Sequence, residues 1–208
     1  MKILCAAAGL ALLACNLAGF AEAETPCGQT LQAPLRSRAV LTIDSRPAGL
    51  EIVGTDNAVI HVSCTSKDAE EAEQIRLRFS GNEDHGKLTI TGGSHEGNFQ
   101  VRIEVPRKTS LRVKMSAGQV KVEEIVGDKD IDLYAGQISI ASARLWDYRS
   151  VNVSVDIGDV NAQIYGADKG GFFRTFSKQS AAGEYSLHAH VMTGQIELVG
   201  AHAAPAPD

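Results

Sequence analysis

An all-β fold in one domain, a β-solenoid or β-helix-like stack of short strands with glycine corners, is what this sequence predicts. Three observations predict it. First, a seven-residue pattern centred on glycine occurs four times: Ser116-Ala117-Gly118-Gln119-Val120-Lys121-Val122, Tyr134-Ala135-Gly136-Gln137-Ile138-Ser139-Ile140, Asp156-Ile157-Gly158-Asp159-Val160-Asn161-Ala162 and Met192-Thr193-Gly194-Gln195-Ile196-Glu197-Leu198. Second, apolar residues recur five and three positions before each glycine and two and four after it, as Ile131, Leu133, Ile138 and Ile140 do around Gly136. Each arm is therefore a strand with one buried face. Third, 20 glycines beside 5% aromatics suit many corners around a slim aliphatic core.

Gly118, Gly136, Gly158 and Gly194 lie between the arms, where a corner needs a turn or a backbone approach that a Cβ would obstruct. They are spaced 18, 22 and 36 residues apart, the last interval twice the first. Units of this length match solenoids, here of right-handed type, in which each repeat buries its face by stacking on its neighbours.

At 208 residues and 44% hydrophobic, the chain suits one domain with a continuous core. Residues 1–23 read as an export signal: Met1-Lys2 is the positive start, Ile3 to Ala14 is an apolar run too short to span a membrane, and Ala21-Glu22-Ala23 is a small-x-small cleavage site. The competing leader is a lipobox, Leu12-Leu13-Ala14-Cys15, which would anchor the chain through Cys15. Residues 24–37 form an N-terminal segment, and the domain proper covers 38–200. Within it, strands are expected at 40–43, 50–53, 58–64, 75–80, 87–91, 98–105 and 111–115, separated by turns such as Arg46-Pro47-Ala48-Gly49 and Pro106-Arg107-Lys108-Thr109. Lys67 to Ile75 is the one helical stretch. The tail 201–208 has no apolar pattern and is expected to be disordered.

Cleavage after Ala23 removes Cys5 and Cys15 and leaves Cys27 and Cys64, which are expected to form a disulfide in an oxidising compartment. The alternative for Cys64 is a small buried thiol, since it continues the inward alternation of Ile60 and Val62. A net charge of −5 gives nucleic acid and anionic membrane surfaces no overall attraction. The repeat is interrupted by a loop at 167–183, which holds Phe172, Phe173, Arg174 and Phe176 behind Gly170-Gly171. This cluster reads either as a cap over the last rung or as a partner site, with Arg174 as its polar contact.

The run Phe99-Gln100-Val101-Arg102-Ile103-Glu104-Val105-Pro106-Arg107-Lys108-Thr109-Ser110-Leu111-Arg112-Val113-Lys114-Met115-Ser116-Ala117-Gly118-Gln119-Val120-Lys121-Val122 resembles the bacterial putative-adhesin, or toastrack, domains. These are similar in having a strand that ends in Val-Pro, a polar turn, an alternating strand and then repeated Gly-(Asp/Gln)-(Val/Ile)-x-(Val/Ile) corners. The resemblance covers about residues 38–199. It implies an exported β-solenoid domain, with no catalytic residues to carry over.

The outward positions six and four before each glycine carry Arg112 and Lys114, Asp130 and Asp132, Asn152 and Ser154, and His188 and His190. Stacking sets the basic pair beside the acidic pair, as a solvated ladder or as a charged binding face. No metal site is expected: His188 and His190 share a face without a third ligand, and Asp128, Asp130 and Asp132 lack the loop of a calcium site. Nucleophile-elbow, P-loop and dinucleotide motifs are missing, so neither catalysis nor a cofactor is expected. The reading that follows is an exported envelope or cell-surface binding module whose partner is an envelope protein or a glycan. An envelope-stress accessory acting through a membrane partner and a polysaccharide-acting β-helix enzyme are the alternatives.

Overall fold

The computed structural model describes residues 23–46, 48–93, 99–142 and 147–200. The leader before Ala23, with Cys15, and the tail 201–208 lie outside the described residues. The fold is all-β. Its elements are β1 (Ala23–Pro26), β2 (Leu31–Pro34), β3 (Val40–Ser45), β4 (Ala48–Thr55), β5 (Val59–Ser66), α1 (Ala69–Gln74), β6 (Arg76–Gly81), β7 (His85–Thr91), β8 (Phe99–Pro106), β9 (Ser110–Glu123), β10 (Lys129–Ser142), β11 (Tyr148–Ala162), β12 (Ala167–Gln179) and β13 (Tyr185–Gly200). All thirteen strands belong to one open sheet.

The sheet has two arms. The first halves of the long strands continue a row ordered β1-β6-β7-β3-β9-β10-β13-β11-β12, and their second halves continue β2-β5-β8-β4. Inward residues of both arms, such as Ile131 and Leu133 before Gly136 and Ile138 and Ile140 after it, belong to a single buried cluster. The period-two arms therefore close over one core, as the alternation requires.

Four glycines form a column through this sheet: Gly118 pairs with Gly136, Gly136 with Gly194, and Gly194 with Gly158. Their φ values are 119°, 133°, 146° and 136° in that spatial order, a region that L side chains rarely enter. A Cβ on Gly136 would lie 1.9 Å from the Gly118 carbonyl oxygen, and each of the other three glycines abuts a neighbour's carbonyl in the same way. The glycines sit inside continuous strands rather than in loops between them, so the chain bends without leaving the sheet. Ala48 occupies the same column as the partner of Gly118. β3 and β4 are thus a fifth unit whose corner is not glycine, and their short apolar runs hid this in the sequence.

The order of the units is set by the tertiary structure, and one expectation changes with it. The stack does not follow the chain: β13 inserts between β10 and β11, parallel to both. The segment 167–183 is not a loop but mostly the edge strand β12, antiparallel to β11. β11 is extended outward by β12, and the chain then returns to fill the slot beside β10.

The opposite end is tied by Cys27 and Cys64, which are disulfide-bonded across a sequence separation of 37 residues. The bridge joins the segment after β1, on the first arm, to β5, on the second. The helix α1 makes the same crossing between β5 and β6, with the Asp68 side chain accepting from the backbone N–H groups of Glu70 and Glu71. Reducing the disulfide removes a closed loop of this length from the unfolded chain and is expected to lower stability by about 2–4 kcal/mol. Denaturant unfolding with and without reductant measures this, and coincident curves would show that the bridge adds nothing.

Candidate functional site

Beside the glycine column the alternation slips phase, because the bend turns positions two and one before each glycine toward solvent. Three of the six large hydrophobic side chains exposed among the described residues lie there, Tyr134 (62% exposed), Met192 (38%) and Ile157 (48%), and two more, Phe172 (68%) and Phe173 (80%), follow Gly171, the antiparallel partner of Gly158. Across the strands, Tyr134 faces Met192, Thr193 faces Ile157, and Ile157 faces Phe172. The result is an apolar ridge along the outside of the bend, running from β10 through β13 and β11 to β12. An exposed apolar strip of this kind, interrupted on β13 by Thr193, marks an interaction surface, since solvent contact is costly for each side chain.

Polar rows flank the ridge. On the second arm, Gln137 pairs with Gln195 and Gln195 with Asp159, one position after each glycine. On the first arm, Asp132 stands beside Lys114 on one side and His190 on the other, with Ser154 next along. His190 Nδ1 lies 3.9 Å from Asp132 Oδ1, and its Nε2 lies 3.4 Å from Asp156 Oδ1. A groove of about 350 Å³ runs here between Lys114, Asp132, Tyr134, His190 and Met192. A second hollow of about 400 Å³ lies farther along the first arm, lined by residues including Arg112, Asp128, Asp130, Ser186 and His188.

The predicted ladder of Arg112 and Lys114 beside Asp130 and Asp132 is present in register. The insertion of β13 adds His188 and His190 directly to the acidic pair. Among the described residues, neither Arg112 nor Lys114 makes an ion pair. The second arm differs: Arg102 binds Glu51 (2.7 Å) and Glu104 (3.1 Å), and Lys121 binds Glu123 (2.9 Å). Hydrogen bonding to Glu51 raises the Arg102 pKa, and Glu123 does the same for Lys121. Charges on the second arm are engaged with one another, whereas the basic pair on the first arm is available to a ligand.

Phe172 and Phe173 lie at the bend of the edge strand, where Gly171 (φ 116°) and Phe173 (φ 51°) break the alternation. Phe176 instead turns toward the core and stacks on Tyr165 with ring centroids 5.3 Å apart. Arg174 Nε donates to its own strand's Gly170 carbonyl at 2.6 Å. Among the described residues no group of three or more His, Cys, Asp or Glu side chains is placed to hold a metal ion. No helix among them is long and apolar enough to cross a membrane.

Sequence reasoning passed over the ridge residues Tyr134, Met192 and Ile157. Their signal was available: they are large apolar side chains out of phase with the buried set. It also passed over Lys129, which is 2% exposed and in phase with Ile131 and Leu133. The Lys129 Nζ donates to the Ile125 (2.9 Å) and Gly127 (3.3 Å) carbonyls, bonds the Tyr148 hydroxyl and lies 4.8 Å from the centre of the Tyr148 ring. Burial lowers its pKa to about 7 against the opposing pull of Asp128 and Asp147. The neutral amine matches this cage, with two N–H groups for the carbonyls and a lone pair for the hydroxyl.

No protein-family model matches this chain, and no curated protein matches it in sequence. Among solved structures, it is similar to a "putative cell adhesion protein" from Clostridium sporogenes ATCC 15579, with a TM-score of 0.53 at 12% identity, covering 85% of this chain and 100% of that one. At this identity the likeness is one of fold.

Proposed function

We propose that this chain is an exported binding module of adhesin type, acting at the cell envelope or surface on a solenoid-type scaffold. The observation that carries the proposal is the apolar ridge, which gathers nearly all the large exposed hydrophobic side chains beside the glycine column, flanked by polar groups on both arms. The fold shared with a protein described as a cell adhesion protein supports the same reading, as does the Cys27–Cys64 disulfide, a bond kept outside the reducing cytosol. No catalytic step enters the proposal. The ridge and its polar rows form a shallow, open surface, suited to holding a large partner rather than enclosing a small reacting one.

Binding of the purified full chain to envelope fragments tests this. Tyr134→Ala combined with Met192→Ser is expected to weaken binding about tenfold or more with little change in melting temperature, because both side chains already face solvent. Wild-type binding by this variant would remove the ridge from the function. An intact mass beginning at Glu24 in exported protein would accompany the soluble form, whereas a lipidated Cys15 would place the ridge on an anchored one.

A further inference from the structure

We propose that the ridge takes an extended polysaccharide of low net charge, lying across the strands so that Tyr134 and the Phe172–Phe173 pair act as two apolar platforms for its sugar rings. This rests on the ridge being the binding surface and adds the chemical class of the partner. Three features of the surface favour a polyhydroxylated chain over a lipid face or an apolar peptide helix.

The ridge is narrow and crosses the strands, stepping by one residue between Met192 on β13 and Ile157 on β11. Tyr134 on β10 and Phe172 on β12 are separated by three strand spacings, about 14 Å at the usual inter-strand distance, with Met192 and Ile157 between them. A linear polymer can contact both ends at once, and a single sugar cannot.

The flanks offer hydrogen-bonding groups at the same repeat. On one side Gln137, Gln195 and Asp159 follow strand by strand, and on the other Asp132, His190 and Ser154 do so. Two amides and a carboxylate on one side of an apolar strip, and a carboxylate, an imidazole and a hydroxyl on the other, suit rings whose faces carry C–H groups and whose edges carry hydroxyls. An apolar helix would leave these groups unpaired, at a cost in affinity.

The charge near the platform is balanced. Lys169, Arg174 and Lys178 on β12 are matched in number by Asp156, Asp159 and Asp168 on β11 and β12. An anionic bilayer surface or a strongly acidic polymer gains little from a balanced patch, because attraction to such surfaces scales with net local charge. Two of these cations are also turned onto their own strand, with Lys169 Nζ donating to the Thr175 carbonyl at 2.9 Å and Arg174 Nε to that of Gly170 at 2.6 Å.

The probe is envelope material divided into three portions: one oxidised with periodate to cleave vicinal diols, one digested with protease, and one extracted with chloroform and methanol. Binding of the full chain is expected to fall at least tenfold on the periodate-treated portion and to persist on the other two. Tyr134→Ala and the double variant Phe172→Ser/Phe173→Ser are each expected to weaken binding to untreated material about tenfold. On fragments of two or three sugars released from that material, removing one platform is expected to leave the other's contribution intact. Loss of binding after protease or solvent, with periodate without effect, overturns the polysaccharide while the ridge stands if the variants still bind poorly. Variants that bind like the wild type remove the ridge and the polysaccharide together, and so does a wild-type chain that binds no portion.

Discussion

Gly136→Val is expected to destabilise the chain by about 3–5 kcal/mol, enough to lower the melting temperature by roughly 10 °C or to prevent folding. Two costs combine at this position. The backbone lies at φ 133°, where a β-branched side chain is strained, and any Cβ would sit 1.9 Å from the Gly118 carbonyl oxygen. That oxygen cannot move alone, because Gly118 is itself pressed against Ala48 on the next strand. The strain therefore passes along the column instead of relaxing locally. Ser139→Val, three residues further along the same strand and on its outward face, is the control and is expected to change stability by no more than about 0.5 kcal/mol. Equal melting temperatures for the two variants would mean that the column does not constrain the bend.

Lys129 is expected to make the protein more stable as pH rises from about 7 to about 10. Burial depresses its folded pKa from 10.5 to about 7, so between those values the unfolded chain binds a proton that the folded chain has lost. Unfolding then takes up a proton, and stability climbs with pH, at up to about 1.4 kcal/mol per pH unit and on the order of 4 kcal/mol across the window. Below about pH 7 both states are protonated and the burial cost is fully felt; above about 10.5 both are neutral and it vanishes. Denaturant unfolding of wild type and Lys129→Met at several pH values isolates the effect in the difference between the two curves. A difference that stays constant from pH 6 to 10 would show that the buried amine does not titrate in this range. The variant also strips the Ile125 and Gly127 carbonyls of their donor, which fixes the offset between the curves but not their slope.

The sequence by itself determined the local parts of this protein, the period-two arms around Gly118, Gly136, Gly158 and Gly194 and the helix near residue 70, and it offered Cys27 and Cys64 as a pair that the structure joins. Each follows from a handful of neighbouring residues or from counting thiols. The tertiary structure alone decided the lateral order. All four glycine units carry the same inward alternation, so any sequence of rungs buries the same faces, and hydrophobic pattern cannot choose among them. The path of the chain chose: β12 folds back along the outer edge of β11, and β13 is left to fill the place beside β10. That choice set His188 and His190 against Asp130 and Asp132, and it aligned Tyr134, Met192, Ile157 and Phe172 into one ridge. Lys129 shows the same limit on a smaller scale. Alternation alone put it inward, and the turn just before it supplied the Ile125 and Gly127 carbonyls, but the Tyr148 hydroxyl that completes the cage comes from another strand, because a polar group is buried only where every one of its partners is at hand.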